Sequence, residues 1–178
     1  MLRQEFPDCL ISFITSQRKS VPSIRTAISK FCETYGNKYN LADYYGEKYE
    51  GFEIYTFPDR ESLSKVSEEG LEDLGFGYRS GYIVSAIGSI WGTEWEVDRL
   101  ESLGYEEAKS QLMGLYGVGV KIANCVLLYS LGYRDAYPRD VWILRFENMY
   151  CNGHFDEKRY EGIAGILQLW QYYYMLHG

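Results

Sequence analysis

The residues best suited to chemistry lie in one short stretch, where a Gly-x-Gly turn opens an apolar helix. Gly117 and Gly119 form the turn, and Lys121 follows in the first turn of the helix. Glycines let backbone N–H groups approach an anion closely, and a helix N-terminus favours negative charge. An amine within an apolar helix is a candidate nucleophile at neutral pH, because burial favours its uncharged form.

A lone carboxylate follows at the start of another apolar run. Asp140 comes nineteen residues after Lys121 and is expected to cap a helix, whose backbone donors hold it ionised. A phosphate clamp, an amine and a fixed carboxylate are the parts needed to attack the sugar carbon of a nucleotide. Each part also has a plain structural alternative: an ordinary turn, an exposed lysine and a simple helix cap.

The pattern resembles the hairpin of the helix-hairpin-helix DNA glycosylases, and most of all that of the 8-oxoguanine glycosylases. The family's Leu-Pro-Gly-Val-Gly-x-Lys-(Val/Ile)-Ala-Asp/Asn-Cys corresponds to residues 115–125, and its Pro-x-Asp-Val to residues 138–141. Three more blocks occur in the family's order, so that the resemblance covers about residues 1–176: residues 10–17, 74–82 and 164–168. Residues 17–20 and 140–143 also resemble a bacterial branch labelled 3-methyladenine glycosylase, although alkylation-specific relatives generally lack the hairpin lysine.

Hydrophobic periodicity predicts an all-α protein without strand alternation of useful length. The resemblance implies the helix-hairpin-helix glycosylase fold, with the active site in a cleft between helical lobes. Residues 1–178 are expected to form the catalytic region, without the β-rich domain that leads the chain in many relatives. Both a naturally minimal enzyme and a domain of a longer protein fit this pattern. Predicted helices are residues 7–17, 20–35, 59–66, 68–74, 79–91, 105–113, 120–131, 140–150 and 158–176.

Composition sets limits on compartment and partners. The four cysteines are scattered, which fits a reducing cytoplasmic setting and excludes the four-cysteine iron–sulfur cluster of some relatives. No apolar run has the length of a membrane span, so no membrane partner is expected. The net charge of −7 is awkward for DNA binding. However, residues 1–32 and 108–145 each hold five basic against two acidic residues, and most acids lie between them.

The resemblance assigns the chemistry to two residues and the phosphate contacts to the hairpin. Lys121 would attack C1′ of the damaged nucleotide and form a Schiff base, and Asp140 would stabilise the positive charge developing on the sugar. Backbone groups at Gly117, Val118 and Gly119 would grip DNA phosphates. No cofactor is required by this chemistry, although in the family the hairpin carbonyls can hold a monovalent cation.

Four further residues are assigned to contacts with the duplex around the flipped nucleotide. Tyr78 would fill the gap in the stack, and Arg79 would bind the orphaned partner base. Arg18 and Lys19 stand where the 8-oxoguanine family has asparagines that help to read that base, so relaxed discrimination of the opposite base is expected. The structural alternative is that Tyr78 and Arg79 only pack at the start of a helix.

The base pocket is assigned to four side chains: Cys125, Trp142, Gln168 and Tyr172. Cys125 lies one helical turn after Lys121 and would face the oxidised base. Trp142 stands where histidine is common, and Tyr172 replaces the usual phenylalanine. Plain core packing is the alternative for the cysteine and for the residues near the C-terminus.

The leading hypothesis is a monomeric base excision repair glycosylase with lyase activity at abasic sites. Its partner would be damaged double-stranded DNA, and 8-oxoguanine is the expected base. One alternative is a monofunctional alkylpurine (3-methyladenine) glycosylase, which would leave no covalent enzyme–DNA species. A non-catalytic helix-hairpin-helix DNA-binding module and a plain helical interaction domain are the remaining alternatives.

Overall fold

A computed structural model describes residues 3–91 and 97–177 of the chain. These residues form two compact units, and the first helix, α1 (Phe6–Thr15), runs across the boundary between them. The middle unit comprises residues 14–93, and the terminal unit comprises residues 1–13 and 94–178. In the part of the chain described, no helix is long and apolar enough to cross a membrane.

Three helices of the middle unit begin at polar caps that the sequence supplies. The hydroxyl of Ser20 accepts from the backbone N–H of Ser23, and Asp59 and Ser67 cap two shorter helices in the same way. The buried ring of Phe31 lies at the centre of this unit and contacts three other aromatic rings. The helices are α2 (Val21–Tyr35), α3 (Ala42–Tyr45), α4 (Arg60–Leu63), α5 (Glu68–Asp73) and α6 (Arg79–Trp91).

The middle unit also contains a short antiparallel hairpin, which the sequence analysis did not predict. Strands β1 (Lys38–Asn40) and β2 (Glu53–Tyr55) pair with Lys38 opposite Tyr55. Each strand has three residues and no buried face, so neither carries the alternation of apolar and polar residues that reveals a strand.

In the terminal unit, helix α9 (Val120–Tyr129) is buried along most of its length. The side chains from Ile122 to Leu128 are all buried there, and α8 lies against this helix. A second cluster joins Tyr137, Ile143 and Ala164, with Phe155 and Tyr172 packed on it. The helices are α7 (Val97–Ser102), α8 (Tyr105–Met113), α9 (Val120–Tyr129), α10 (Val141–Tyr150) and α11 (Ala164–His177).

The prediction of a mainly helical protein is confirmed, with two corrections beyond the hairpin. The helix predicted from residue 158 begins at Ala164, because Glu157–Tyr160 is a 3-10 turn and Gly162 has φ +85°. That left-handed conformation cannot continue an α-helix. The short helices α3 and α7 were not predicted.

Candidate active site

The Gly-x-Gly motif forms the predicted turn between α8 and α9. Gly117 has φ +81°, a conformation that favours glycine, and the N–H of Val118 donates to the carbonyl of Leu115 at 3.0 Å. The Val118 side chain is buried and anchors the turn, whereas Gly119 is exposed. A backbone turn fixed at its base therefore presents its tip to solvent.

Gly119 is the N-cap residue of α9, and no side chain caps this helix. Its φ of −95° suits any residue, and a Cβ placed there would meet no atom within 4 Å. The fold itself therefore does not demand glycine at this position. Close approach of a ligand to the uncapped backbone N–H groups is a physical reason for it.

Lys121 lies half-buried in the first turn of α9, and its ammonium group faces an aromatic pair. The nitrogen lies 5.4 Å from the centre of the Phe13 ring, a distance that allows a cation–π interaction. Phe13 in turn stacks on Tyr129, with ring centres 5.4 Å apart. Neither ring was assigned a role from the sequence. The spacing of Lys121 and Tyr129, two turns apart on one helix face, is the signal that could have found the tyrosine.

Asp140 is the N-cap of α10, as predicted. One carboxylate oxygen accepts from the backbone N–H groups of Trp142 and Ile143, at 2.9 and 3.0 Å. The carboxylate is therefore fixed at the positive end of a helix.

The thiol of Cys125 links the two candidate catalytic residues electrostatically. Burial raises the pKa of Cys125 to about 12, the charge of Lys121 lowers it, and the charge of Asp140 raises it. The charges of both groups therefore act on the pKa of this thiol. Burial and then the charge of Asp140 also raise the pKa of Tyr172. The structure therefore brings together Lys121, Cys125, Asp140 and Tyr172 within the terminal unit.

The remaining residues assigned to the base pocket lie beside Asp140. Gln168 is buried, and its Nε2 donates to the carbonyl of Pro138 at 3.2 Å, while its Oε1 is buried without a hydrogen-bond partner. Trp142 is half-buried in the first turn of α10, beneath the guanidinium of Arg145. Tyr172 also packs on the cluster around Tyr137, so its packing role is observed.

The segment before Asp140 is held by an ion-pair network that the sequence analysis missed. Arg139 donates to Glu147 at 2.9 Å and to Glu157 at 2.6 Å, and its guanidinium lies over the ring of Tyr137. Glu147 is only 2% exposed. The sequence of an amphipathic helix does not reveal that one of its charged side chains faces inward. Among residues 3–91 and 97–177, no group of three or more His, Cys, Asp or Glu side chains could hold a metal ion.

The residues predicted to contact the duplex lie in two turns of the middle unit. Arg18 and Tyr78 are exposed, as a contact with DNA requires. Arg79 is instead only 6% exposed, and each of its guanidinium nitrogens donates to a backbone carbonyl. Lys19 donates to the carbonyl of Gly75 at 3.1 Å. A contact of Arg79 with an orphaned base would require its present hydrogen bonds to be exchanged.

Comparison with known proteins finds homologues that are named N-glycosylase/DNA lyases. The chain is 34% identical over 155 residues to an N-glycosylase/DNA lyase, OGG1, of Arabidopsis thaliana, a match covering 84% of this chain and 40% of the relative. A solved structure of MBOgg1 in complex with a low-affinity DNA ligand has a TM-score of 0.87 and 31% identity, and covers 98% of this chain and 61% of that one. No family model matches the sequence.

A second solved structure is an 8-oxoguanine glycosylase/lyase of Clostridium acetobutylicum, bound to DNA with cytosine opposite 8-oxoguanine. Its TM-score is 0.86 at 26% identity, over 97% of this chain and 60% of that one. Homologues and structural neighbours also include 3-methyladenine glycosylases. The chain spans about one third to three fifths of the length of these relatives. The expected likeness to the helix-hairpin-helix glycosylases, in sequence and in fold, is confirmed.

Proposed function

We propose that this chain, a homologue of the OGG1-type N-glycosylase/DNA lyases with the helix-hairpin-helix glycosylase fold, is a base excision repair glycosylase with lyase activity at abasic sites. One observation carries the proposal: two backbone N–H groups at the start of α10 fix the Asp140 carboxylate, while Lys121 lies in the first turn of α9, behind a glycine turn without a side-chain cap. The names of the relatives support 8-oxoguanine as the base and damaged duplex DNA as the partner.

In this proposal Lys121 supplies the nucleophile. Lys121 first gives up a proton to solvent, and its amine then attacks C1′ of the flipped nucleotide. The bond from C1′ to the base breaks, and the base leaves with the electron pair and takes up a proton. The nitrogen then loses a proton and the sugar ring opens, which gives a Schiff base. Loss of a proton from C2′ and departure of the 3′ phosphate break the strand.

Asp140 stabilises charge in this proposal and takes no part in making or breaking a bond. Positive charge builds on the sugar as the base leaves, and a carboxylate already fixed by backbone donors stabilises it without reorganising. The two N–H groups of α10 that hold Asp140 are part of this preorganisation.

DNA binding is assigned to the uncapped turn before α9 and to the exposed side chains of the middle unit. The backbone at Gly117, Val118 and Gly119 binds phosphate, and Tyr78 fills the gap left by the flipped base. Cys125, Trp142, Gln168 and Tyr172 line the base pocket, where the unpaired Gln168 Oε1 accepts a hydrogen bond from the base. The protein is proposed to act as a monomer.

No cofactor enters this chemistry. The carbonyl oxygens of residues 115–119 are proposed to hold a monovalent cation, since carbonyl oxygens suit hard cations. No acidic side chain lies among these residues, which suits a single rather than a double positive charge. Such a cation would stiffen the turn that binds phosphate, and every step above is carried by side chains of the protein.

The test is covalent trapping by borohydride on a duplex with a single 8-oxoguanine. Wild-type protein should form an adduct that resists denaturation, and Lys121→Gln should form none while still binding the lesion duplex. Lys158→Gln is the matched control, because it removes one exposed lysine of the terminal unit that has no assigned part in the chemistry. An adduct in Lys121→Gln would remove Lys121 from the mechanism.

The same experiment separates the alternatives. Base release without an adduct, strongest on a 3-methyladenine duplex, would identify a monofunctional alkylpurine glycosylase. Binding without base release would identify a non-catalytic DNA-binding module. Absence of DNA affinity at low salt would leave only a helical interaction domain.

A further inference from the structure

Two turns of the middle unit are fastened to each other by side chains. The carbonyl of Gln17, in the turn of residues 16–20, accepts from Nε of Arg79 at 2.9 Å and also from its Nη2. Nη1 of Arg79 donates to the carbonyl of Phe76 at 3.2 Å, within the turn of residues 74–79. Lys19 forms a second link between the two turns, because it donates to the carbonyl of Gly75 at 3.1 Å. The two turns therefore behave as one surface.

Arg18 stands out in this surface by its backbone. Its φ is +49°, in the left-handed region that non-glycine residues seldom adopt, and its side chain is exposed. Such a conformation persists when its surroundings impose it. The peptide bond that precedes Arg18 contains the Gln17 carbonyl, which accepts hydrogen bonds from Arg79.

The three cations assigned to DNA from the sequence therefore have different surroundings. Lys19 and Arg79 point their charged groups at backbone carbonyls inside the unit, and burial, together with the charge of Arg79, lowers the pKa of Lys19. Of these three side chains, that of Arg18 is exposed, whereas Lys19 is half-buried and Arg79 is buried.

We propose that Arg79 is a positioning residue that holds Arg18 in its left-handed conformation through the Gln17 carbonyl, and that Arg18, not Arg79, contacts the base opposite the flipped nucleotide. This inference rests on the proposed function. It exchanges the roles that the sequence suggested for the two arginines.

Arg79 also supports the residue proposed to fill the gap. The Tyr78 ring lies 4.4 Å from the guanidinium carbon of Arg79 and meets the edge of Tyr82 at 5.8 Å. One buried guanidinium thus positions both projecting side chains, Arg18 by its backbone and Tyr78 by its ring face.

The chemistry of Arg18 sets what it can read. A guanidinium only donates hydrogen bonds, and each of the four bases presents acceptors. A long, exposed arginine therefore accepts several partner bases, with those that offer two neighbouring acceptors bound best. Excision should proceed opposite cytosine and opposite at least one other base.

A double-mutant cycle tests the proposal. The probe is a duplex with a stable tetrahydrofuran abasic analogue opposite cytosine, and the intact duplex is the reference. Arg18→Ala should weaken binding to the probe by about ten-fold, the order expected for a lost bidentate contact, with little change for the intact duplex. Arg79→Met should give a similar loss, and the double variant should lose no more than Arg18→Ala alone. Arg60→Ala, an exposed arginine of α4, is the control and should bind as the wild type does.

Losses that multiply in the double variant would show that Arg79 makes its own contact, and would overturn the proposal. An Arg18→Ala variant that binds the probe like the wild type would do the same. If thermal melting shows that Arg79→Met is unfolded, Arg79→Lys takes its place in the cycle. A wild-type protein that neither prefers the probe nor forms a borohydride adduct would overturn the proposed function itself. Normal trapping with a multiplicative cycle would overturn this inference alone.

Discussion

The side-chain amide of Gln168 donates a hydrogen bond of 3.2 Å to the carbonyl of Pro138, two residues before Asp140. Its other end, Oε1, is buried without a partner. A buried acceptor left unpaired costs about 1–3 kcal/mol, so a ligand that supplies a donor there recovers that cost. One side chain therefore both holds the segment that leads to Asp140 and offers an acceptor to a base.

Replacement of Gln168 should separate base recognition from strand cleavage. Gln168→Met keeps the length of the side chain and removes the acceptor, so excision of 8-oxoguanine should fall by about ten-fold or more, the order of one lost hydrogen bond in a buried site. Gln168→Met also removes the donor to Pro138, so cleavage of a preformed abasic duplex, which has no base in the pocket, should fall by less than excision does. Gln171→Met is the control, since Gln171 is also buried on α11 but accepts from Tyr137. Equal loss of both activities in Gln168→Met would show that this residue acts only on the fold.

Gly119→Ala should fold normally and bind DNA poorly. The added methyl group meets no protein atom, so it should obstruct only a ligand that approaches the backbone. Gly104→Ala is a matched control, because Gly104 also begins a helix without a side-chain cap and with open space at its Cβ. We expect equal melting temperatures and a loss of DNA affinity only in Gly119→Ala, measured by fluorescence anisotropy. Unchanged affinity would place the phosphate elsewhere.

Asp140→Asn and Asp140→Ala should separate the role of Asp140 as a helix cap from the role of its negative charge in excision. Asparagine still accepts from the N–H groups of Trp142 and Ile143, so Asp140→Asn should keep its stability and lose about 100-fold or more in single-turnover excision. Asp140→Ala should in addition lose about 1 kcal/mol of folding free energy, measured by urea denaturation. An Asp140→Asn variant that turns over at the wild-type rate would reduce Asp140 to a helix cap.

Asp8 should make the stability of the protein depend on pH. Burial, and then the charge of Glu5, raise the pKa of this carboxyl from 3.8 to about 6. The folded state therefore holds its proton more tightly than the unfolded state, and the free energy of unfolding should fall as pH rises from about 4 to about 6.

Asp8→Asn removes this dependence and should be about 1–2 kcal/mol more stable than the wild type at pH 7, because solvent screens part of the penalty on this half-buried carboxyl. Glu5→Gln removes only the second cause, so it should stabilise by a smaller amount. Urea denaturation across this pH range measures both effects. If Asp8→Asn loses stability at pH 7, the carboxylate is stabilised in α1 and burial does not dominate.

Local signals in the sequence predicted most of the helices. The cap of α2 by Ser20, the Gly-x-Gly turn and the cap of α10 by Asp140 all involve residues a few positions apart. The strands β1 and β2 were missed because three exposed residues carry no periodicity. The start of α11 was predicted six residues too early, because periodicity does not report the left-handed φ of Gly162.

The candidate site likewise contains local relationships that could be predicted from the sequence and distant contacts that could not. Lys121 and Cys125 are one turn apart on α9, so their shared face could be predicted from the sequence. The hydrogen bond from Arg79 to Gln17 joins residues 62 positions apart, and the ring of Phe13 reaches Lys121 from another helix. Such contacts arise from the packing of distant segments, which no local pattern specifies.

The ion pairs of Arg139 restrict the order in which this part of the chain can change. Glu147 is buried and relies on Arg139 for its counter-charge, so loss of the arginine alone would leave an uncompensated buried carboxylate, at about 3–5 kcal/mol. A small apolar residue at position 139 becomes tolerable once Glu147 has lost its charge. A change from arginine to a small residue at position 139 would therefore have to follow a change at position 147, and laboratory recombination that replaced position 139 alone would produce an unstable hybrid.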